Sequence, residues 1–472
     1  MQQVDIQDQG NLRTDQVRQM VAQYKQDTEE VESLAEKAIP RYQIDQDLYT
    51  KYDVKRGLRD LDGKGVRAGL TTISKITATQ TVDGKEVSAP GQLYYRGYPI
   101  DDLVRGFTTA GRYGFEEIAY LLLMGALPNE KELKDFHALL ADYRLLPNRF
   151  NSGVIMRMPS DNIMNTMSKC VLALHAYDPK PDDTSIPNVM RQCLQLIAQF
   201  PSLAVYGYQA SMYFRNDKSM FIQKPDPNLS IAENILYMMR PDGKYTQLEA
   251  RLLDLCLVLH AEHGGGNNST FTVHVVSSSG TDTYATMAAA LGSLKGPKHG
   301  GANIRVVEMF ADLKEHCPDW EDEDAIRAYL TQILNKEAFD HSGLIYGMGH
   351  AIYSISDPRA VILKSYAEQL SSEKGIHDEF LLYDRVERIA GEVIAEKRRI
   401  YKGVCANVDF YSGFVYRMLG LPDELFTPIF AIARIAGWSA HRIEELINCR
   451  KIIRPAYLAV GETEDYVPME DR

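Results

Sequence analysis

The stretch LEARLLDLCLVLHAEHGGGNNS, Leu248 to Ser269, is apolar almost all the way round its helical projection and then turns abruptly polar and glycine-rich. A helix with no polar face must be buried on every side, so the first part predicts a helix at the centre of a helical core. His260 and His263 are three residues apart and are expected to share a face near its C-terminal end, with Gly264 to Gly266 ending it.

Outward from this stretch the 3.6-residue period recurs. FEEIAYLLLMG, EKELKDFHALLADYRLL, NTMSKCVLALHAY and NVMRQCLQLIAQFPSLAVYGYQASMYF each read as helices, and SIAENILYMMR opens with a capping box, Ser230 to Glu233. Residues 66 to 97 differ: GLTTISKITATQTV is β-branched, and VDGK signals a tight turn before VSAPGQLYYRGYPI, which predicts a small β element. Further upstream, Val17, Met20, Val21, Tyr24, Val31, Leu34 and Ala35 form a helical stripe closed by Pro40. The predicted fold is mainly α, with a minor β element near the N-terminus. It divides into a helical arm over 1–60, a large helical domain over 61–303 and 413–472, and a smaller inserted helical domain over 304–412, whose charged stretches DLKEHCPDWEDEDAIRAYL and AEQLSSEKGIHDEF read as surface helices.

The 472 residues are 45% hydrophobic and 25% charged, long enough for two or three domains. A net charge of -12 and a pI near 5.5 argue against a nucleic-acid or anionic-membrane partner. No apolar run reaches spanning length, and MQQVDIQDQGN lacks the basic and apolar regions of a secretory signal. The six cysteines show no C-x-x-C spacing, so neither a zinc knuckle nor a dithiol redox motif is expected. These features point to a reducing, cytoplasmic setting.

Chemistry concentrates in glycine-marked segments. In GPKHGGAN, His299 stands between Pro297 and a glycine pair, ahead of a helical ANIRVVEMFADL. An imidazole held at a helix N-terminus stays neutral and can donate to a developing enolate oxygen. GMGHAIYSISDPRA presents His350, and Asp357-Pro358 marks a turn presenting Arg359, a natural carboxylate partner. A dinucleotide loop would need a third glycine where Ile352 stands. HGGG resembles an esterase oxyanion loop, but no G-x-S-x-G elbow accompanies it. Two histidines without a third ligand make a zinc site a weak reading, and no metal is expected. In NVDFYSG, Asp409 sits among apolar residues that raise a carboxylate's pKa, at a helix start that lowers it; an N-cap role is the plainer alternative. Arg434 lies inside the apolar IFAIARIAGW, where a bare charge is costly, so an anionic partner is expected, either a structural carboxylate or a substrate. Arg454, before Pro455, is uninformative alone.

Taken together, HAEHGGGN, GPKHGGAN, GMGH…DPRA, NVDFYSG, AR…GWSAH and RP occur in the order seen in citrate synthases, and YYRGYPIDDL and IAYLLLMGALP also resemble that family. The resemblance covers residues 65 to 465 and leaves the N-terminal arm unexplained. It implies an all-α homodimer with a large and a small mobile domain, condensing oxaloacetate with acetyl-CoA and hydrolysing the thioester, with no cofactor. By resemblance, Asp409 removes a methyl proton, His299 stabilises the enol and His350 polarises the oxaloacetate carbonyl. His263, Arg359, Arg434 and Arg454 hold the dicarboxylate, Arg454 from the partner subunit. His260 and Asn303 support the site. Leu344, Ile345, Tyr346, Gly347, Met348 and Gly349 resemble the adenine-recognition loop for CoA. Ser354 stands where some members carry a phosphate-facing arginine, and Lys402 is a candidate substitute. A 2-methylcitrate synthase using propionyl-CoA is the nearest alternative, since one methylene is worth only about 1–3 kcal/mol in a pocket. A helical binding protein that has lost catalysis is a more distant one.

Overall fold

The computed structural model describes residues 28–60, 64–216, 218–398, 403–449 and 451–472. The stripe positions Val17 to Tyr24 and the candidate Lys402 lie outside the described residues. Two compact units are distinguished, Met1–Ala68 and Gly69–Arg472.

In the first unit, Thr28 caps helix α1 (Glu29–Ala38) by accepting from the Val31 amide. Pro40 then falls in a short 3-10 turn, Ile39–Tyr42, so the helix stops where expected. A second short helix, α2 (Gln46–Lys51), is capped by Asp45.

The second unit begins with an antiparallel sheet of β1 (Ser74–Val82), β2 (Lys85–Tyr95) and the short β3 (Tyr98–Pro99), in that order. Val82 pairs with Lys85 across Asp83-Gly84, both at positive φ (51° and 75°), the two-residue turn whose twist suits a hairpin.

Helices make up the rest. They run α3 (Ile100–Thr109), α4 (Phe115–Met124), α5 (Glu130–Tyr143), α6 (Ile163–Leu174), α7 (Ile186–Asn216), α8 (Ile231–Met239), α9 (Gln247–His260), α10 (Asn268–Ser278) and α11 (Thr283–Leu294). Then follow α12 (Ala302–His316), α13 (Glu323–Leu334), α14 (Pro358–Glu373), α15 (His377–Arg398), α16 (Val408–Met418) and α17 (Phe426–Asn448). The mainly α fold with one small sheet is therefore as expected. Ser230 and Glu233 make the predicted capping box reciprocally.

Helix α9 is buried from Leu252 through His260, and α17 from Phe426 through Ile443. These two pack on each other, and α17 also packs on α7 and α10. Gly437 permits the close crossing: a Cβ there would stand 2.4 Å from the Ala261 carbonyl oxygen. The core of this unit thus lies directly beneath the histidine-bearing loops.

Three expectations are corrected. Helix α9 ends at His260, so His263 lies beyond it in a loop and shares no helix face with His260. The charged stretch Asp312 to Leu330 is not one surface helix but the junction of α12 and α13, broken at Pro318, which cannot continue a helix. Ala367 to Phe380 likewise spans the end of α14 and the start of α15, broken at Gly375 with φ of 70°.

Candidate active site

The loop after α9 delivers His263. Only 8% of it is exposed, and its Nε2 lies 3.3 Å from the Tyr353 hydroxyl. The His350 ring meets it edge-on with centroids 5.1 Å apart and stacks on Tyr353 at 4.6 Å. Burial, then the Arg359 charge, hold His263 well below the usual histidine range, so its ring is neutral.

His350 is oriented by its own loop. The backbone N–H groups of Ile352 and Tyr353 both donate to its Nδ1, each at 3.1 Å. With Nδ1 accepting, the proton of a neutral ring must sit on Nε2, which is thereby a donor. The segment before it is stitched to the chain leading into α16. The Asn407 amide donates to the Gly347 carbonyl (2.9 Å), Asn407 Nδ2 to the Gly349 carbonyl (3.0 Å), and the Gly349 amide to the Cys405 carbonyl (2.8 Å). Gly347 is at φ 78°, and a Cβ would come within 2.9 Å of the Phe410 Cα, so this approach requires glycine.

That stitching places Asp409. Asn407, not Asp409, caps α16, its Oδ1 accepting from the Asp409 amide at 3.0 Å. The N-cap alternative for Asp409 is thus removed, and its Oδ1 is buried without a hydrogen-bond partner. Two effects oppose each other here. A first-turn carboxylate is normally stabilised by the helix dipole, but burial dominates and pushes the Asp409 carboxyl up to about 6, against the lowering charges of Arg359 and Arg434. The residue as a whole is only partly buried, although Oδ1 itself is covered.

His299 sits in the turn before α12, but the helix that orients it is another one. The Ser269 amide, in the first turn of α10, donates to His299 Nε2 at 3.3 Å, and the Ser269 hydroxyl lies 2.8 Å from the same nitrogen. Trp438 Nε1 donates to that hydroxyl at 3.2 Å. Nε2 is therefore an acceptor and Nδ1 carries the proton. Burial, followed by the charge of Arg434, lowers His299 to about 4, so it is a neutral donor at physiological pH.

The two buried arginines differ. Arg359, in the first turn of α14, is gripped by Asp357, which caps that helix, through Nε (3.0 Å) and Nη2 (2.7 Å). Its Nη1 makes no hydrogen bond among the described residues. Arg434 is 1% exposed, donates from Nε to the His260 carbonyl (2.7 Å), and lies over the Phe430 ring at 4.8 Å. Of the two partners expected for it, the structural carboxylate is not found. No carboxylate among the described residues lies within ion-pair distance, and burial lowers it to about 10 while leaving it charged. Its charge nonetheless acts on His260, Glu262, His263, His299 and Asp409, and that of Arg359 acts on His260, His263 and Asp409 beside it.

His260 donates from Nδ1 to the Cys256 carbonyl (2.8 Å), packs on Phe430, and falls to about 3 through burial. Its carbonyl is what holds Arg434, a supporting position. Asn303 is fully buried in α12, where Gly413 of α16 crosses it closely. Leu344, Ile345, Met348 and Gly349 line a cavity of about 260 Å³ beside His350, with Ser354 and Arg398. Arg398, which sequence reading missed, is a described cation at the edge of this cavity. Arg454 is not brought into the cluster. It is exposed, in an irregular segment after α17 whose Ile453 amide donates to Ser278 Oγ of α10 (3.0 Å). Ser269, Tyr353 and Asn407 were also missed; Ser269 acts on His299 across 30 residues, a contact that no local motif announces.

One histidine–carboxylate group, His175, Asp182 and Asp282, has metal-ligand proximity among the described residues, and it shares no residue with this cluster. No helix of the described residues is long and apolar enough to cross a membrane.

The arrangement offers one carboxyl near neutrality, two neutral imidazole donors of opposite tautomer, and arginine edges without carboxylate partners. Such a set can abstract a weakly acidic proton while polarising two carbonyls. Comparison with known proteins agrees. The family described as citrate synthase, C-terminal domain, matches residues 60–456. A citrate synthase of Acidithiobacillus ferridurans is 38% identical over 84% of this chain and 97% of its own length. A 2-methylcitrate synthase of Shewanella oneidensis is 32% identical over 88% and 99%. Among solved structures, the ternary complex of carboxymethyl coenzyme A and oxaloacetate with citrate synthase from Thermoplasma acidophilum superposes with a TM-score of 0.72 at 28% identity, covering 88% of this chain and 99% of that one. The chain belongs to the citrate synthase family.

Proposed function

We propose that this protein condenses oxaloacetate with acetyl-CoA and hydrolyses the resulting thioester to citrate and CoA, an acyl transfer in which the acyl group becomes an alkyl group. The observation that carries the reading is the grouping of an elevated Asp409 carboxyl, whose Oδ1 has no hydrogen-bond partner, with His299 and His350, whose acceptor bonds place the ring proton on Nδ1 and Nε2 respectively.

Asp409 takes a proton from the methyl carbon of acetyl-CoA while His299 Nδ1–H donates to the thioester oxygen, where negative charge develops. The enol carbon attacks the ketone carbon of oxaloacetate, whose oxygen is polarised by His350 Nε2–H and takes up a proton as the new carbon–carbon bond forms. Water then cleaves the thioester, releasing the CoA thiol and the third carboxylate. His263, Arg359 and Arg434 hold the dicarboxylate. Arg454, exposed and outside the cluster, is supplied to a second copy, so the working unit is a homodimer. The cavity beside Gly349 takes the CoA portion. Closure of residues 304–412 excludes water until condensation is complete. Imidazole N–H groups and arginines supply the polarisation, so the step calls for no metal or organic cofactor. Six unbonded cysteines, five of them buried, support a cytoplasmic setting.

The Shewanella relative favours one second reading, propionyl-CoA as the acyl donor. Thiol release measured with oxaloacetate and each acyl-CoA decides between them. A higher kcat/KM for acetyl-CoA is expected; a preference for propionyl-CoA transfers the reading to 2-methylcitrate, and no thiol release with either overturns it.

A further inference from the structure

Behind the His263 loop lies a chain of four titratable groups that the reaction does not use. Glu262 Oε1 is 3.0 Å from His441 Nε2, His441 Nδ1 is 3.0 Å from His274 Nε2, and His274 Nδ1 is 2.6 Å from Glu445 Oε2. Glu262 and His441 are fully buried, and Glu445 is 6% exposed.

The contacts impose a proton count. Each of the three hydrogen bonds needs one proton, and two neutral imidazoles bring only two. If each ring donates outward to its carboxylate, two nitrogen lone pairs face each other at 3.0 Å. If one ring turns its proton inward, a lone pair faces a carboxylate oxygen instead. Only a third proton satisfies all three bonds. Glu262 is not its holder: although burial works against the charge, His441 and Arg434 keep this carboxyl ionised, lowered to about 2.

The chain bears on the loop that carries His263. Glu262 Oε1 also accepts from the Gly264 amide (2.5 Å) and from Ser74 Oγ of β1 (2.8 Å). A Cβ on Gly265 would stand 3.4 Å from both His274 Nε2 and His441 Cε1, so the loop rests on the imidazole pair. His441 and Arg434 are seven residues apart on α17, two turns along one side.

We propose that the His441–His274 pair holds this third proton between the Glu262 and Glu445 carboxylates, and that the protonated imidazole pair is a positioning device clamping the loop from His263 to Asn267 in the geometry that binds oxaloacetate. The role assigned to the clamp rests on the reading of His263 as an oxaloacetate ligand. The groups facing the pair favour a cation. Besides the two terminal carboxylates, Glu444 Oε2 is 3.9 Å from His441 Nδ1. Cys449 lies beside Glu445, its amide donating to the Glu445 carbonyl (2.8 Å), while two cations act in the opposite sense, Arg434 on Glu262 and Arg96 near Glu262 and Glu444. Loss of the shared proton at alkaline pH would set the lone pairs in opposition and release the loop.

Two measurements test this. In the full-length protein labelled with 15N-histidine, two coupled ring nitrogens with a bridging proton should persist at about pH 8, above the ordinary histidine value of about 6.5. A neutral pair at that pH overturns the proposal, and this result needs no variant and no activity. Oxaloacetate KM should rise in an alkaline step with kcat unchanged, and Glu445→Gln, which removes one anion, should move that step to lower pH by about one unit. Coincident profiles overturn the clamp. If wild-type protein releases no thiol from either acyl-CoA, the functional reading fails while the 15N signature still decides the proton count.

Discussion

The backbone N–H of Ser269 is directed at Nε2 of His299 from 3.3 Å, across 30 residues of chain. A donor fixed on one ring nitrogen dictates which tautomer reaches the substrate. The Ser269 hydroxyl, 2.8 Å from the same nitrogen, reinforces it. Ser269→Ala keeps the amide and loses the hydroxyl. The expected result is a fall in kcat of roughly three- to tenfold, the worth of one neutral hydrogen bond, with oxaloacetate KM within about twofold of wild type. Steady-state kinetics check it, and an unchanged kcat would detach Ser269 from the enol-stabilising step.

Asp409 makes a paired prediction on activity and stability. With its carboxyl near 6, kcat/KM should decline as pH drops below about 6, because the base is then protonated in the free enzyme. Asp409→Asn should cost at least about 10²-fold in kcat. Stability moves the other way. A raised acid pKa means the folded state favours the protonated form, so ionisation destabilises the fold as pH rises through the shifted value. Asp409→Asn should therefore stabilise above about pH 6, by on the order of 2–3 kcal/mol, and lose that gain below about pH 4, where both states are protonated. Urea unfolding at several pH values measures this.

Arg434 carries a buried charge without a carboxylate partner, a cost in the free protein that a bound dicarboxylate would offset. Arg434→Met is expected to leave the thermal midpoint equal or higher without ligand. Its oxaloacetate affinity should drop by on the order of 2–5 kcal/mol. Differential scanning calorimetry with and without oxaloacetate reads both, since only a binding-competent protein gains stability from the ligand. A lower midpoint without ligand together with intact binding would assign Arg434 to structure alone.

Arg454 is assigned to the second copy, which predicts complementation. Asp409→Ala and Arg454→Ala homodimers should each be nearly inactive. Unfolding and refolding them together gives mixed dimers in which one site carries both lesions and the other neither. Random pairing then restores about a quarter of the wild-type sites. Activity that never exceeds the sum of the two parents would place Arg454 in its own subunit's site or outside any site.

Much of the local structure was legible in residues 248–269 and their neighbours. The period of α9, the Ser230–Glu233 box and the Asp83-Gly84 turn each depend on a few adjacent residues, so pattern alone identifies them. The long α7 was also legible, and it runs on through Pro201 because its apolar pattern on either side is buried. The ends were less so. His263 falls outside α9, and Asn407 takes the cap that Asp409 could have taken. Cap choice depends on where the chain comes from, and here that is settled by pairing of residues 405–407 with Gly347 to Gly349.

The chain's order of residues by itself determined which groups are available. It sets a carboxylate among apolar residues, imidazoles on glycine-flanked turns, and an arginine inside an apolar helix, because composition and short-range geometry need no partners. Only the tertiary structure decided how those groups behave. It gave His299 and His350 opposite tautomers through amides from Ser269, Ile352 and Tyr353. It raised Asp409 by withdrawing water, paired Arg359 with Asp357, and left Arg434 without a carboxylate. Protonation and charge depend on what surrounds a group in space, and for this site the surroundings come from five separated parts of the chain.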